Sequence, residues 1–508
     1  MKNLYEWMRG MRSQDSRQPD EPARTSIASS LAENSRQLSI LFDGFPDLTI
    51  RRLQSKSGLG MMLAYLDGLV DKKLINTDII RPILYEKPTD PSDGLSSVSI
   101  SPVKKIRDWS NIEQAILSGK SILFMDGESH AFELDTQGGP QRSIEEPNVE
   151  SAIKSAHQGF VETMGQNIAL VRRYIPSRKL KLKEMSIGER GHIKVSILYI
   201  EDVVNKQALH EIEKRIEQVN VDNILTIGEL EEFIEDHSFT PFPQFVGTER
   251  PDTTASHLLQ GRVAVLIDRS PTALVAPVTF ISFFQVIDDY SVRWMVSSFV
   301  RLMRFAGLII AVFLPSIYIA MISFHYEVIP LQLILSIGES REKVPFPPIV
   351  EALIMELVLE MLREAGLRLP SPLGQTIGIV GGIVIGQAAV QAGIVSNIMV
   401  IVVALTAISS FIIPNLELLG GIRLIRFPVM FIASIFGMVG IVISIMVIVV
   451  HLISLESLGV PYGSPLTPLY LSDMKDTFIR LPRWLMLNRP QSVGSQQPLR
   501  KGSIKKRG

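Results

Sequence analysis

The chain has 508 residues, of which 46% are hydrophobic, and its 51 Lys and Arg nearly balance its 52 Asp and Glu. Because it contains no cysteine, disulfide bonds, thiolate metal sites and cysteine-based catalysis are excluded. Residues 1–289 have the composition of a water-soluble protein, whereas long apolar runs begin at Phe299. We therefore predict a soluble α/β N-terminal region followed by an all-α polytopic membrane domain.

The first half of the chain predicts a flexible tail and two α/β subdomains. Residues 1–37 are polar and lack the apolar core of a signal peptide, so we expect a flexible tail and a cytoplasmic location for this half. Helix-like and strand-like patterns then alternate over residues 38–138 and 139–270, with a break at the glycine- and proline-containing stretch Gly138–Pro147. The predicted strands include Ser121–Met125, Ala131–Leu134, Ile193–Tyr199, Asn223–Thr226 and Val263–Ile267.

The second half has membrane character. Residues 271–298 are aromatic but contain Pro277, which predicts an interfacial linker, and residues 299–456 form the predicted membrane domain. Its apolar segments are close in length to the roughly 20 residues that a helix needs to cross a bilayer core. Residues 457–508 carry an excess of Lys and Arg, which predicts a basic cytoplasmic tail near anionic lipid. The apolar segments are Leu302–Phe324, Pro347–Leu369, Leu373–Val395, Asn397–Ile413 and Phe427–Leu455.

The number of membrane crossings depends on the acidic segment Pro347–Leu369. If this segment does not cross, four helices cross the membrane and both termini lie inside, which suits the basic tail. If it crosses, there are five crossings, and the tail lies outside. The sequence favours four crossings.

The glutamates of this segment are its sharpest feature. At about 100° per residue, Glu356, Glu360 and Glu364 lie within an arc of about 80°, and Glu351 precedes them. A carboxylate at mid-membrane is unfavourable by roughly 2.5–3.5 kcal/mol, so it needs water, cations or basic partners. In a ring of subunits these four glutamates would line a cation path. The alternative is a helix on the membrane surface whose glutamates are solvated.

The next segment carries small residues at helical spacing. Glycines at every fourth position place a smooth stripe on one helix face, where another membrane helix can approach closely. Two glutamines follow one turn apart. The pattern predicts close helix packing, either within the subunit or at an oligomer interface. The residues are Gly374, Gly378, Gly382, Gly386, Gln387 and Gln391.

Signals of catalysis and of metal or nucleic-acid binding are missing from the sequence. The 8 histidines have no metal-binding spacing, and no nucleophile elbow occurs. Basic residues are not interleaved with aromatic ones as in nucleic-acid-binding proteins. We therefore predict no enzymatic activity, no cofactor, no metal and no nucleic-acid partner. The sequence assigns no ligand-binding residue.

Several motifs, in order, resemble those of the A subunit of bacterial spore germinant receptors, the GerA family. The likeness covers about Leu38 to Tyr470. The motifs are Tyr65–Val70, Arg142–Pro147, Asn167–Arg173, Pro241–Gln244, Thr248–Asp252, Val344–Pro347, Arg363–Pro370, Gly386–Ala389 and Gly459–Tyr462.

This resemblance implies an integral protein of the spore inner membrane that acts with a transporter-like B subunit and a lipoprotein C subunit. It implies detection of small nutrients, assembly as a homo-oligomer and conduction of monovalent cations. The alternatives are a non-conducting scaffold that organises receptor subunits, and the paralogous stage-V sporulation protein. A secondary transporter is disfavoured, because the sequence shows no internal repeat.

Overall fold

The computed structural model describes residues 26–56, 58–85, 103–138, 154, 158–369 and 384–500. These residues belong to two compact units. The first comprises the described part of Met1–Ser143 with Ile175–Arg178, and the second comprises the described part of Ile144–Tyr174 and Lys179–Gly508.

The first unit is a five-stranded antiparallel sheet with helices. The strand order is β1-β2-β4-β5-β3. Alternate residues of β2, among them Met61 and Leu63, point to one face, where they pack against Ile75 and Ile79 of the following helical turns. The strands are β1 Leu48–Gln54, β2 Gly60–Leu66, β3 Val103–Ile106, β4 Ser121–Met125 and β5 Ala131–Leu134, and the helical segments are Leu31–Leu41, Lys72–Leu74, the π-helical Ile75–Ile80, Arg81–Tyr85 and Trp109–Leu117.

The second unit contains another five-stranded antiparallel sheet, in the order β6-β7-β9-β10-β8. The helix Lys206–Gln218 lays Ala208, Ile212 and Ile216, spaced four residues apart, onto Val195 and Ile197 of β7. The strands are β6 Leu180–Ile187, β7 Ile193–Ile200, β8 Val246–Thr248, β9 Val263–Ile267 and β10 Ala273–Ala276, and the further helices are Met164–Tyr174, Ile227–Ile234 and Pro251–Leu258.

One predicted strand is wrong. Residues 223–226 are not in a strand. Thr226 instead caps the helix Ile227–Ile234, because its hydroxyl accepts from the Glu229 amide while Leu225 donates its amide to the Glu229 carboxylate. The short apolar run therefore leads into a helix. A run of this length does not by itself distinguish a strand from the residues that precede a helix.

Helices dominate the rest of the second unit. Two of them are long and apolar enough to cross a membrane: Trp294–Phe324, which we name the first apolar helix, and Leu416–Ser454, which we name the kinked helix. This confirms the predicted fold class of an α/β region followed by a helical part. The other helical segments are Leu331–Arg341, Pro348–Arg368 (the acidic helix), residues 384–391 and Asn397–Phe411.

The kinked helix reverses direction at Gly437. This residue has φ +59° and ψ −139°, a conformation outside the helical region that glycine tolerates best. A Cβ on Gly440 would lie 2.6 Å from the carbonyl oxygen of Ile432, although eight residues of a straight helix span about 12 Å. The two arms of the kinked helix therefore lie side by side.

Both arms end at the same loop of the second unit. Gly421, in the first arm, packs against Pro241, and His451, in the second, places its Nε2 2.8 Å from Thr240 Oγ1. In a straight helix Gly421 and His451 would be about 45 Å apart. The predicted apolar segment Phe427–Leu455 thus contains a turn that its uniform hydrophobicity conceals.

Residues 456–500 then return to the second sheet. Asn205 donates its side-chain amide to the Val493 carbonyl oxygen over 2.8 Å, and the Tyr462 hydroxyl donates to the Pro243 carbonyl oxygen over 2.8 Å. An odd number of crossings would place this segment across the membrane from the sheet that it contacts. Because the kinked helix reverses at Gly437, Phe427–Leu455 does not count as a single crossing, so the counts of four and five crossings both lose their basis and the number of crossings stays a prediction. The basic composition of the tail did not indicate this docking.

Candidate functional site

The four glutamates singled out in the acidic helix each form an ion pair with an arginine. We name these pairs the glutamate ladder. Glu351 pairs with Arg341, Glu356 with Arg426, Glu360 with Arg423 and Arg363, and Glu364 with Arg368.

Glu351 is fully buried at the start of the acidic helix. Its carboxylate lies 2.9 Å from Arg341 Nη2 and accepts the Ser396 amide over 3.0 Å. Ser396 caps the helix Asn397–Phe411, and its hydroxyl lies 3.3 Å from the Tyr318 hydroxyl of the first apolar helix. The negative charge thus meets both a guanidinium and the positive end of a helix dipole.

The Glu356–Arg426 pair is buried among four helices, and both side chains are 4% exposed. Besides Glu356, the Arg426 guanidinium donates to the Ala311 carbonyl oxygen over 2.7 Å and to the Ser410 hydroxyl over 3.0 Å. Desolvation of two charges is unfavourable by several kcal/mol, and only such additional hydrogen bonds offset it. Arg426 therefore joins the kinked helix to the first apolar helix, the acidic helix and Asn397–Phe411.

Exposure increases along the ladder. The Glu360 side chain is 42% exposed and contacts Arg423, and the Glu364 side chain is 59% exposed beside Arg368, one turn away on the same helix. Glu356 pairs with Arg426 and Glu360 pairs with Arg423, so the residue numbers rise along the acidic helix in the direction in which they fall along the kinked helix. The two helices therefore run antiparallel at this contact.

The structure thus supplies the basic partners that mid-membrane carboxylates require. Within one copy of the chain the ladder is neutralised, and the cation path stays a prediction. Sequence reasoning missed the partners Arg341, Arg423 and Arg426. The sequence signal for these partners was the pair Arg423 and Arg426, three residues apart and directly before a long apolar run. In the part of the chain that the structure describes, no group of three or more His, Asp or Glu side chains could hold a metal ion.

The predicted glycine stripe is described at its last position only. Gly374, Gly378 and Gly382 lie outside the described residues. A Cβ on Gly386 would lie 3.7 Å from Val400 Cγ1, so this glycine faces the helix Asn397–Phe411. Residues 387 and 391, both glutamines, are exposed on a single copy. An oligomer interface at these positions stays a prediction.

A second charged cluster lies at the start of the first apolar helix. Arg301 is 0% exposed and places Nε 2.8 Å from Asp289 and Nη1 2.8 Å from Asp476. Arg304 contacts the same Asp289 over 2.9 Å, and the Tyr290 hydroxyl donates to Asp476 over 2.7 Å. Burial, followed by the charge of Asp476, raises the pKa of Tyr290. Arg301 and Arg304 therefore fasten the linker to the helix, and Arg301 also fastens the C-terminal segment to it.

Two antiparallel sheets followed by two apolar helices of membrane-crossing length define an α/β protein with a membrane-associated helical part. Residues 36–492 match the family described as Bacillus/Clostridium GerA spore germination protein, and the chain belongs to this family. The resemblance seen in the sequence motifs is thereby confirmed.

Similar proteins are named for spore germination or as membrane proteins. The chain is 42% identical to the uncharacterized membrane protein YfkQ of Bacillus subtilis, with 91% of each chain covered. It is 38% identical to spore germination protein KA of the same organism, with 94% of this chain and 89% of that one covered. The crystal structure of the N-terminal domain of the A subunit of the Bacillus megaterium spore germinant receptor GerK3 is 28% identical, covers 51% of this chain and 98% of its own, and has a TM-score of 0.40.

Proposed function

We propose that this chain is a subunit of a nutrient-germinant receptor that triggers spore germination, and that it forms an oligomeric, ligand-gated channel for monovalent cations. Its family and the names of its relatives support the germination role. The observation that carries the channel proposal is the Glu356–Arg426 pair, because ionisable residues inside a membrane bundle are rare and mark substrate or ion pathways.

In this proposal the ladder is the gate. The structure corresponds to the closed state, in which each glutamate is neutralised by an arginine. Opening moves the acidic helix away from the kinked helix, so that Glu356 and Glu360 leave Arg426 and Arg423 and, together with Glu364, face the path and attract cations. Ion pairs that exchange partners are a frequent basis of two-state transitions, since packed interfaces have discrete arrangements.

The α/β region would transmit the signal to the gate. The kinked helix carries Arg423 and Arg426, and both of its arms contact the loop at Thr240 and Pro241. A displacement of that loop therefore acts on both arms together. Nutrient binding, on a transporter-like B subunit, would shift the population toward the open state. A lipoprotein C subunit, membrane lipid and further copies of this chain complete the proposed complex.

The proposed location is the spore inner membrane, with the α/β region on the cytoplasmic side. The contact of the C-terminal segment with the second sheet supports a shared side for both. The domain organisation of a polar tail, two α/β subdomains, an interfacial linker and a membrane domain belongs to the same proposal.

A non-conducting scaffold, or a stage-V sporulation paralogue that organises receptor subunits, is the second candidate. The specific observation in its favour is the pairing of all four ladder glutamates with arginines. A fully neutralised set of carboxylates is suited to holding helices together without any conduction.

Cation flux through the purified full-length chain in liposomes, with and without the partner subunits, tests the proposal. Removing an arginine should release a carboxylate into the path, so Arg423→Gln should raise the flux of potassium, whereas Glu360→Gln should lower it. The triple variant Glu356→Gln, Glu360→Gln, Glu364→Gln should lower flux further. Lys206→Gln, on the second sheet's helix, is the matched control for loss of one charge.

Oligomer assembly is measured on the same samples by size-exclusion chromatography with light scattering. An assembled oligomer that passes no ions, with or without its partners, would support the scaffold. Equal flux in the wild type and the triple variant would exclude the ladder as the path, even if the chain conducts.

A further inference from the structure

A cavity of about 260 Å³ lies in the second unit, outside the glutamate ladder. Its walls come from three places: the turn before β9, the linker around Ser282, and the C-terminal segment after Pro465. Its size is near the lower end of the range for small-molecule sites. Of its lining residues, four are basic and two are acidic: Arg262, Lys475, Arg489 and Arg500 against Asp473 and Asp476.

Arg262 is the buried charge of this cavity. The residue is 3% exposed, and its Nη2 donates to the Ser282 hydroxyl over 2.9 Å. Its Nε and Nη1 have no hydrogen-bond partner among the residues that the structure describes. Burial lowers the pKa of Arg262 to about 10, so the guanidinium remains charged at neutral pH. A buried guanidinium with two donors left over is strongly unfavourable unless a ligand or water accepts from them.

The two carboxylates of the cavity are engaged by other groups. Asp473 accepts the amides of Gln491 and Ser492, over 3.0 Å and 2.9 Å. Asp476 accepts from Arg301 and from the Tyr290 hydroxyl. Both carboxylates therefore accept from groups other than Arg262.

The remaining arginines of the cavity contact neutral groups or lack a partner for one donor among the described residues. Arg489 donates to the carbonyl oxygens of Leu259, Gln497 and Leu499, which carry no formal charge. Arg500 leaves its Nε without a partner within the described residues. Burial, and then the charge of Arg500, lowers the pKa of Arg489, as expected where like charges gather. The cavity thus concentrates positive charge around unused donors.

We propose that this cavity binds a phosphate group, held by Arg262 with Arg489, Arg500 and Lys475, and that this binding fastens the C-terminal segment to the second sheet. The arginine fork matches the geometry of phosphate oxygens better than a point charge does. The group can belong to an anionic phospholipid or to a free phosphate. Asp476 joins the cavity to Arg301 near the start of the first apolar helix, and this proximity to an apolar helix is the reason to test a lipid headgroup as the source of the phosphate.

The experiment uses the full-length chain in two settings. Binding of radiolabelled inorganic phosphate in detergent is measured by equilibrium dialysis. Thermal melting is compared in nanodiscs of phosphatidylcholine with and without phosphatidylglycerol. The variants are Arg262→Gln and the double variant Lys475→Gln, Arg500→Gln. Arg190→Gln, a surface arginine whose side chain is 82% exposed, is the matched control.

We expect a loss of phosphate binding of roughly tenfold or more in both cavity variants and none in the control. If the wild type binds free phosphate and this binding is lost in Arg262→Gln or in the double variant, the site is assigned to a soluble phosphate. Stabilisation by phosphatidylglycerol alone, with the same dependence, assigns it to a lipid headgroup.

If neither phosphate nor phosphatidylglycerol binds or stabilises the wild type, or if the cavity variants respond as the wild type does, the proposal is wrong. The double variant keeps the test valid if Arg262→Gln fails to fold. Cation flux is not part of this test, so its outcome is independent of the channel proposal.

Discussion

Arg426 of the kinked helix and Glu356 of the acidic helix form an ion pair in which both side chains are 4% exposed. The pair lies where four helices meet, since Arg426 also reaches Ala311 and Ser410. The pair therefore helps to fix how the four helices are arranged as well as how stable they are. Several measurements follow from this and from related contacts.

Breaking the pair on one side should destabilise the helical part strongly. We expect Glu356→Ala to lower the free energy of unfolding by about 3–5 kcal/mol, because it leaves Arg426 buried without its carboxylate. The double variant Glu356→Met, Arg426→Leu should recover much of that loss. Thermal melting in detergent measures both. Glu364→Ala, at an exposed pair, should change stability by about 0.5 kcal/mol or less. Equal losses at the two sites would contradict this account.

The reversal at Gly437 can be tested by cross-linking. Because the chain has no cysteine, pairs of cysteines can be introduced without background. A short thiol cross-linker should join Thr240→Cys to His451→Cys, whose native side chains are in contact. It should not join Thr240→Cys to Phe436→Cys, which lies about 22 Å further along the arm. A continuous helix would place Phe436 about 22 Å and His451 about 45 Å from Gly421, so neither pair would then be joined.

Glu231 makes the second unit sensitive to pH. Burial, with smaller contributions from the charges of Glu417 and Glu235, raises the pKa of Glu231 to about 8. The folded state therefore holds a proton that the unfolded chain releases near its ordinary pKa. This stabilisation is complete below the unfolded pKa and is lost as pH rises through about 8.

We therefore expect the melting temperature of the wild type to fall between about pH 5 and pH 8 and to level off above that range, and the Glu231→Gln variant to lose part of that dependence. Melting curves of the two proteins across this range measure the difference. The exposed Glu232→Gln should behave as the wild type does. A parallel decline in all three proteins would show that other groups control the pH response.

Arg301 should be among the most sensitive positions of the chain. Its 0% exposed side chain holds both Asp289 and Asp476, so Arg301→Met leaves Asp476 without its guanidinium partner and Asp289 with Arg304 alone. We expect a loss of about 3–5 kcal/mol in the free energy of unfolding, and easier proteolysis of residues 456–500. Limited proteolysis with mass spectrometry detects the release. Arg293→Met, at the start of the same helix, provides the comparison.

Much of the fold was predictable because local pattern determined it. The strands Ser121–Met125, Ala131–Leu134 and Val263–Ile267 occur where alternation and apolar runs placed them. The position of the glutamates on one face of the acidic helix followed from helical geometry alone. These features depend on residues that are neighbours along the chain.

The unpredicted features depend on residues far apart in sequence. Glu356 and Arg426 are separated by 70 positions, and Asn205 and Val493 by 288. No periodicity reports such contacts. The turn at Gly437 was hidden for another reason. Both arms of the kinked helix are equally apolar, so the hydrophobicity of the sequence does not show where one arm ends and the other begins.

The docking of residues 456–500 on the second sheet has a consequence for biosynthesis. A ribosome releases the α/β region first, but the segment that covers Asn205 and Pro243 is made last, after every apolar helix. The second unit can therefore be completed only after residues 456–500 have been synthesised, when the helices before them have already been made. Completion of this part of the fold would then depend on prior insertion of the helices into the membrane.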